Sequence, residues 1–84
     1  MKEIRTYRGI SKRLAIHYLE NLGGEQISSS LIEGDEWTAQ LEAYQVSPAG
    51  SITLTEVKIT FSGDEPVLGS LIDQFSQKAM RAGG

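Results

Sequence analysis

The reactive side chains of this sequence are few, and their types limit the chemistry open to it. His17 is the only histidine, and cysteine is absent. Without thiols there are no disulfides, no thiolate nucleophile and no thiolate metal site. A Ser-His-carboxylate relay needs a nucleophilic serine beside the imidazole and an acid to orient it. Ser28, Ser29 and Ser30 follow one another in a strand-like stretch, with no strand-to-helix elbow around them. As a metal ligand, His17 lacks a second histidine. The carboxylate pairs Asp35-Glu36 and Asp64-Glu65 fall at a turn and at a helix start, where solvation and capping account for them. Gly9-Ile10-Ser11 and Gly23-Gly24-Glu25 match neither a Walker nor a dinucleotide phosphate loop. We therefore expect a non-enzymatic chain with no catalytic residue, no metal ligand and no cofactor.

The cations are more informative. Lys2, Arg5, Arg8, Lys12 and Arg13 are five of the eight basic residues, so the remainder of the chain is acidic. If a first strand leads straight into a first helix, Arg8, Lys12 and Arg13 gather at the helix N-terminus. Backbone N–H groups and cationic side chains there can hold an anion, a carboxylate or an acidic protein surface. Arg5, Arg8, Lys12 and Arg13 are the candidate anion- or partner-binding residues; a solvated basic edge is the bland account of the same residues. Nucleic acid is not expected as a partner. The net charge is -3, and no aromatic residues interleave with the cations as in single-strand binders. A double-stranded RNA-binding module would want a basic start to the last helix, where this chain has Asp64-Glu65.

Gly83-Gly84 forms the second candidate site, a conjugation tail. A terminal glycine has no side chain to obstruct adenylation or an enzyme's narrow channel, and ubiquitin-like modifiers and sulfur carriers end this way. A helix stop explains the same pair. Ubiquitin-like folds also pass from a final strand into an extended tail, whereas here helical spacing continues through Phe75, Ala79 and Met80.

Elements to position these residues follow from periodicity. Residues 2–8 read as an edge strand ended by Gly9. Residues 11–22 read as a helix, with Ser11 as N-cap and Ile10 placed to pack back on Ala15. Its stripe is Leu14, Tyr18 and Leu22, with Ala15 and Leu19 beside them, and Gly23-Gly24 stops it. Residues 25–33 read as one strand, and Glu33-Gly34-Asp35-Glu36 as a tight turn. Trp37, Ala39, Leu41 and Ala43 alternate with polar residues, the clearest half-buried strand in the chain. Ser47-Pro48-Ala49-Gly50 reads as a turn.

In residues 51–61 the apolar parity changes: Ile52 and Leu54 share one phase, Val57, Ile59 and Phe61 the other. A strand cannot change phase by itself, so a bulge or break is expected near Thr55-Glu56. Asp64 or Glu65 caps a last helix with Pro66 in its first turn. Its apolar face is Val67, Leu68, Leu71, Ile72, Phe75 and Ala79; Lys78 and Arg81 suit its C-terminal dipole.

The order is β-α-β-β-β-α. Two striped helices can cover one face of an antiparallel sheet of four strands, or five if the break splits the last one. That is a single α+β domain over residues 1–84, close to the smallest size that one core supports. A hydrophobic content of 39% and a charged content of 23% fit a folded soluble chain. No apolar run approaches the roughly 18 residues of a membrane span, and the first residues are not a signal peptide. A cytoplasmic protein with no membrane partner is expected.

Tyr7-Arg8-Gly9-Ile10-Ser11, residues 18–24 (YLENLGG), Trp37 in its strand and residues 75–84 (FSQKAMRAGG) together carry a family resemblance. The chain resembles the small C-terminal domain of MoaD-related proteins, and the likeness spans nearly its whole length. The resemblance implies a TBP-like fold, a curved antiparallel sheet with helices on one side. It implies no catalytic residue, and it points to molybdopterin or sulfur-carrier biology. Fold analogy to TATA-binding protein does not confer DNA binding.

Three functions follow as expectations. The first is a non-catalytic interaction domain with a protein partner, using the basic patch. The second is a Gly-Gly-tailed modifier or sulfur carrier. The third is a binder of a small apolar ligand held between sheet and last helix, for which 84 residues leave little volume. The sheet's open edges and Trp37 could each serve a homodimer.

Overall fold

The computed structural model describes residues 1–83. Strand β1 (Lys2–Arg8) leads into helix α1 (Lys12–Asn21). Strands β2 (Glu25–Ser28), β3 (Leu31–Gly34), β4 (Trp37–Ala49) and β5 (Ile52–Gly63) follow, then helix α2 (Glu65–Gly83). The five strands form one antiparallel sheet in the order β1-β5-β4-β3-β2. The α+β class and the two helices agree with the sequence reading. Residues 64–82 pair with no strand.

Helix α1 starts where its cap allows. The Ser11 hydroxyl accepts from the Leu14 N–H at 3.0 Å, satisfying a donor left free at the helix start. It stops because Gly23 takes φ 101. The Gly24 N–H then donates to the Leu19 carbonyl and the Gly23 N–H to the Glu20 carbonyl. This pair of bonds is a Schellman motif, and it depends on a left-handed residue that glycine supplies without strain. At the start of α2, the Leu68 N–H donates to the Asp64 carbonyl at 2.8 Å, which places Asp64 at the cap.

The core lies between the helices and one sheet face. Ala15 and Leu19 from α1 and Leu68, Leu71, Ile72, Phe75 and Ala79 from α2 meet Ile32, Trp37, Ala39, Leu41, Val57, Ile59 and Phe61. Phe75 stands at the centre. Tyr7, Tyr18 and Phe61 present their rings edge-on to it, at centroid distances of 4.9, 6.1 and 6.1 Å. Trp37 lies over Gly34, where any β-carbon would overlap the indole. Trp37, Leu41, Ile59, Leu71 and Phe75 all belong to this one buried cluster. The space proposed above for a small apolar ligand is therefore occupied by the protein's own side chains.

Three local readings are corrected. The stretch 25–33 is two strands, not one: Ser29 and Ser30 form a turn, and Ile27 is the extra residue of a bulge in β2. This hairpin supplies the fifth strand. Its mixture of serines and aliphatics satisfied a period-two pattern across the turn, so periodicity did not reveal the reversal.

No break occurs at Thr55-Glu56. The β4–β5 register runs unshifted from Trp37 opposite Gly63 to Val46 opposite Leu54. The irregularity lies in β4, between Val46 and Ala49. The parity argument assumed that one face of the whole strand is buried. Strand β1 ends at Arg8, opposite Glu56, and the Gly9 N–H reaches the Thr55 carbonyl, so residues 52–54 extend as a two-stranded arm. There Ile52 and Leu54 are exposed on the face away from the helices.

The same arm displaces the expected turn at Ser47-Gly50. Strand β4 continues to Ala49, and the reversal is made at Gly50-Ser51.

Candidate functional site

Sheet geometry separates the candidate cations. Neighbouring positions along a strand point to opposite faces, so an odd spacing divides two residues. Arg5 pairs in register with Ile59, on the helix-covered face, and Arg8 with Glu56, on the open face. Each meets a carboxylate of its own chain. Arg5 Nη2 lies 3.1 Å from Glu3 Oε1, and Arg8 Nε lies 2.8 Å from Glu56 Oε2. These exposed pairs contribute little to stability, but they offset the charge that the two arginines offer to a partner.

Lys12 and Arg13 are placed otherwise. Both stand in the first turn of α1, which holds no acidic residue. Among the described residues neither forms a salt bridge. They line an open groove of about 510 Å³ with Ile16, His17, Glu20, Gln26 and Ser29. Lys12 is half-buried, and its Nζ donates to Ser30 Oγ at 2.8 Å across the β2–β3 turn. That bond fixes the ammonium at one wall of the groove. His17 lines the same groove because it stands four residues, about one helical turn, after Arg13. Sequence reasoning set His17 aside when no catalytic partner was found for it. Its i, i+4 spacing from Arg13 was the signal available.

The open sheet face is the other extended surface. From β1 it presents Lys2, Ile4, Thr6 and Arg8, from β5 Leu54, Glu56, Lys58 and Thr60, and from β4 Gln40, Glu42 and Tyr44. Basic and acidic side chains alternate across it, so no continuous positive stripe forms. The Tyr44 hydroxyl donates to Glu42, and that bond raises its pKa above the ordinary value. On the other face, burial raises the pKa of Tyr7, opposed by its hydrogen bond to Ser76.

Among the described residues, no polar or charged side chain belongs to the buried class. None of them form a cluster of three or more histidine or acidic ligands that could hold a metal ion. No helix is long and apolar enough to cross a membrane. Of the Gly83-Gly84 pair, Gly83 is the last residue of α2, and Gly84 lies outside the described residues. Arg5 and Arg8 thus lie on opposite faces of the sheet, each beside a carboxylate, while Lys12 and Arg13 line one groove with His17.

No curated protein matches the chain. The sequence model of the family described as archaeal MoaD-like protein matches residues 3–84. A match over nearly the entire length, on a fold whose helices lie where the sequence places them, establishes the relationship: this chain belongs to the archaeal MoaD-like family.

Proposed function

We propose that the chain is a non-catalytic docking module in sulfur-carrier or molybdopterin-related biology, and that it receives an acidic segment of a partner protein at the Lys12–Arg13 groove. Family membership supports the biological setting and the dependence on a protein partner. One observation carries the choice of surface. Of the four candidate cations, Arg5 and Arg8 are matched by Glu3 and Glu56, while Lys12 and Arg13 face an open groove at a helix N-terminus. Unmatched positive charge of this kind steers and orients an acidic partner. Arg5 and Arg8 contribute to the surrounding field rather than to the contact.

The test is affinity capture with tagged protein from its native cell, comparing Lys12→Glu/Arg13→Glu with Arg8→Glu. The first variant is expected to weaken partner capture about tenfold or more, with an unchanged thermal midpoint. The second is expected to have a much smaller effect. Equal capture by all three proteins would remove the groove from consideration.

A second reading keeps the carboxyl terminus as the working group. The family match continues through Gly83 and Gly84 to the last residue. In this reading the final turn of α2 unwinds to present the glycines, because terminal helical carbonyls lack intrahelical partners and fray most readily. Intact-mass spectrometry of protein from its native cell would then show one carboxyl oxygen replaced by sulfur, or lysine-linked conjugates that deletion of Gly84 removes. A uniformly unmodified carboxyl terminus would count against it.

A further inference from the structure

The outer edge of β1 carries a pattern that complements itself. Hydrogen bonds at both ends of the strand show which residues face inward. The Met1 ammonium donates to the Gly63 carbonyl and the Gly63 N–H to the Met1 carbonyl, while the Gly9 N–H donates to the Thr55 carbonyl. In an antiparallel ladder alternate residues direct both backbone groups to the same neighbour. Residues 1, 3, 5, 7 and 9 therefore bond to β5. Lys2, Ile4, Thr6 and Arg8 point their N–H and C=O groups away from the sheet, where no strand of the described chain pairs with them.

We propose that this edge pairs with β1 of a second copy of the chain, antiparallel, with Ile4 opposite Ile4 on a twofold axis. In that register the outward-facing residues bond as Lys2 with Thr6, Ile4 with Ile4 and Thr6 with Lys2. Glu3 of each copy then stands directly opposite Arg5 of the other, in the closer, non-hydrogen-bonded type of pair. The present Glu3–Arg5 contact within one strand is exchanged for two contacts between copies.

The registers two residues to either side of this one are penalised. Shifting the pairing one way sets Glu3 against Glu3; shifting it the other way sets Arg5 against Arg5. Like charges directly opposite on a sheet are destabilising. Ile4 is 53% exposed in the single chain, and the axis would cover it with its own counterpart.

The opposite edge is a poorer candidate. Strand β2 has four residues and carries the bulge at Ile27, which interrupts an edge and resists further pairing. Strand β1 has seven residues in unbroken register. A twofold axis normal to the sheet keeps both pairs of helices on one side. The product is one ten-stranded sheet (two copies of the five-stranded one) with a doubled open face. This assembly does not depend on the Lys12–Arg13 reading, since that groove lies at the far end of the strand order, by β2.

Sedimentation equilibrium of the whole chain tests the register as well as the assembly. The unmodified protein is expected to dimerise reversibly. Glu3→Arg places cations against cations, and Arg5→Glu places carboxylates against carboxylates. Each alone should dimerise about tenfold more weakly, as two symmetric pairs change sign. Mixed in equal amounts, the two variants present opposite charges to each other and should form a heterodimer of near-original affinity. An unmodified protein that stays monomeric at millimolar concentration would overturn the proposal. So would single variants that self-associate as the unmodified protein does, or a mixture that fails to recover association. Circular dichroism of each variant verifies that it is folded.

Discussion

At the scale of single residues, the chain separates groups that carry charge from groups that carry the fold. Tyr7 does both. Its ring packs edge-on against Phe75, and its hydroxyl lies 2.9 Å from Ser76 Oγ. Burial raises the phenol's pKa above 10.0; the Ser76 hydrogen bond and the Arg5 charge oppose the rise, and Glu3 adds to it. In the unfolded chain the proton is lost near 10.0, whereas in the folded chain it is held to higher pH. Between those points the folded state binds more protons, so stability falls as pH rises. The contribution is complete below the unfolded value and disappears as pH passes the folded one. Tyr44 is raised in the same direction, by its bond to Glu42, and is exposed. Denaturant titrations in a Tyr44→Phe background should show this alkaline decline, and adding Tyr7→Phe should flatten it. At neutral pH the Tyr7→Phe change should cost about 1 kcal/mol, from the lost hydrogen bond.

At the scale of elements, capping and turn chemistry were legible because they depend on neighbours in the chain. Ser11, Gly23, Asp64 and Pro66 mark the helix ends they were read to mark. Two glycines make opposite predictions. Gly69 lies inside α2, and a β-carbon there meets nothing within 4 Å. Gly69→Ala should therefore stabilise the protein by about 0.5–1 kcal/mol, through the smaller entropy of its unfolded chain. Gly23 is equally open in space but sits at φ 101. Gly23→Ala should destabilise by about 1–2 kcal/mol, because an L side chain resists that conformation. Thermal unfolding of the two variants, which add the same methyl group, should shift in opposite directions. The β2–β3 hairpin was not legible, since Ser29-Ser30 is a weak turn signal inside a pattern that fits a strand.

At the scale of the whole molecule, protection is uneven along one strand. Val57, Ile59 and Phe61 are sealed between sheet and helices, and β5 there has a strand on each side. Residues 52–54 lie beyond the Gly9–Thr55 hydrogen bond that ends the β1 pairing and are flanked by β4 alone. Native-state hydrogen exchange should follow this division. The amides of residues 57–61 should open only with global unfolding, and those of residues 53 and 54 through local opening of the arm. Uniform protection along β5 would show that the arm is held by contacts other than those described.

The family resemblance was legible from short motifs and element order, and the match over residues 3–84 agrees with it. By itself the sequence determined the helices, their caps, the edge position of β1 and the apolar set of the core. Each of these follows from periodicity and from steric rules that act within a few residues. Only the tertiary structure decided which cations find carboxylates, where β5 outruns its cover, and that residues 25–33 reverse direction. Those outcomes depend on residues brought together from distant positions, as Glu56 is to Arg8 and Ser30 to Lys12. A one-dimensional pattern holds the parity of a side chain but not the identity of what lies across from it.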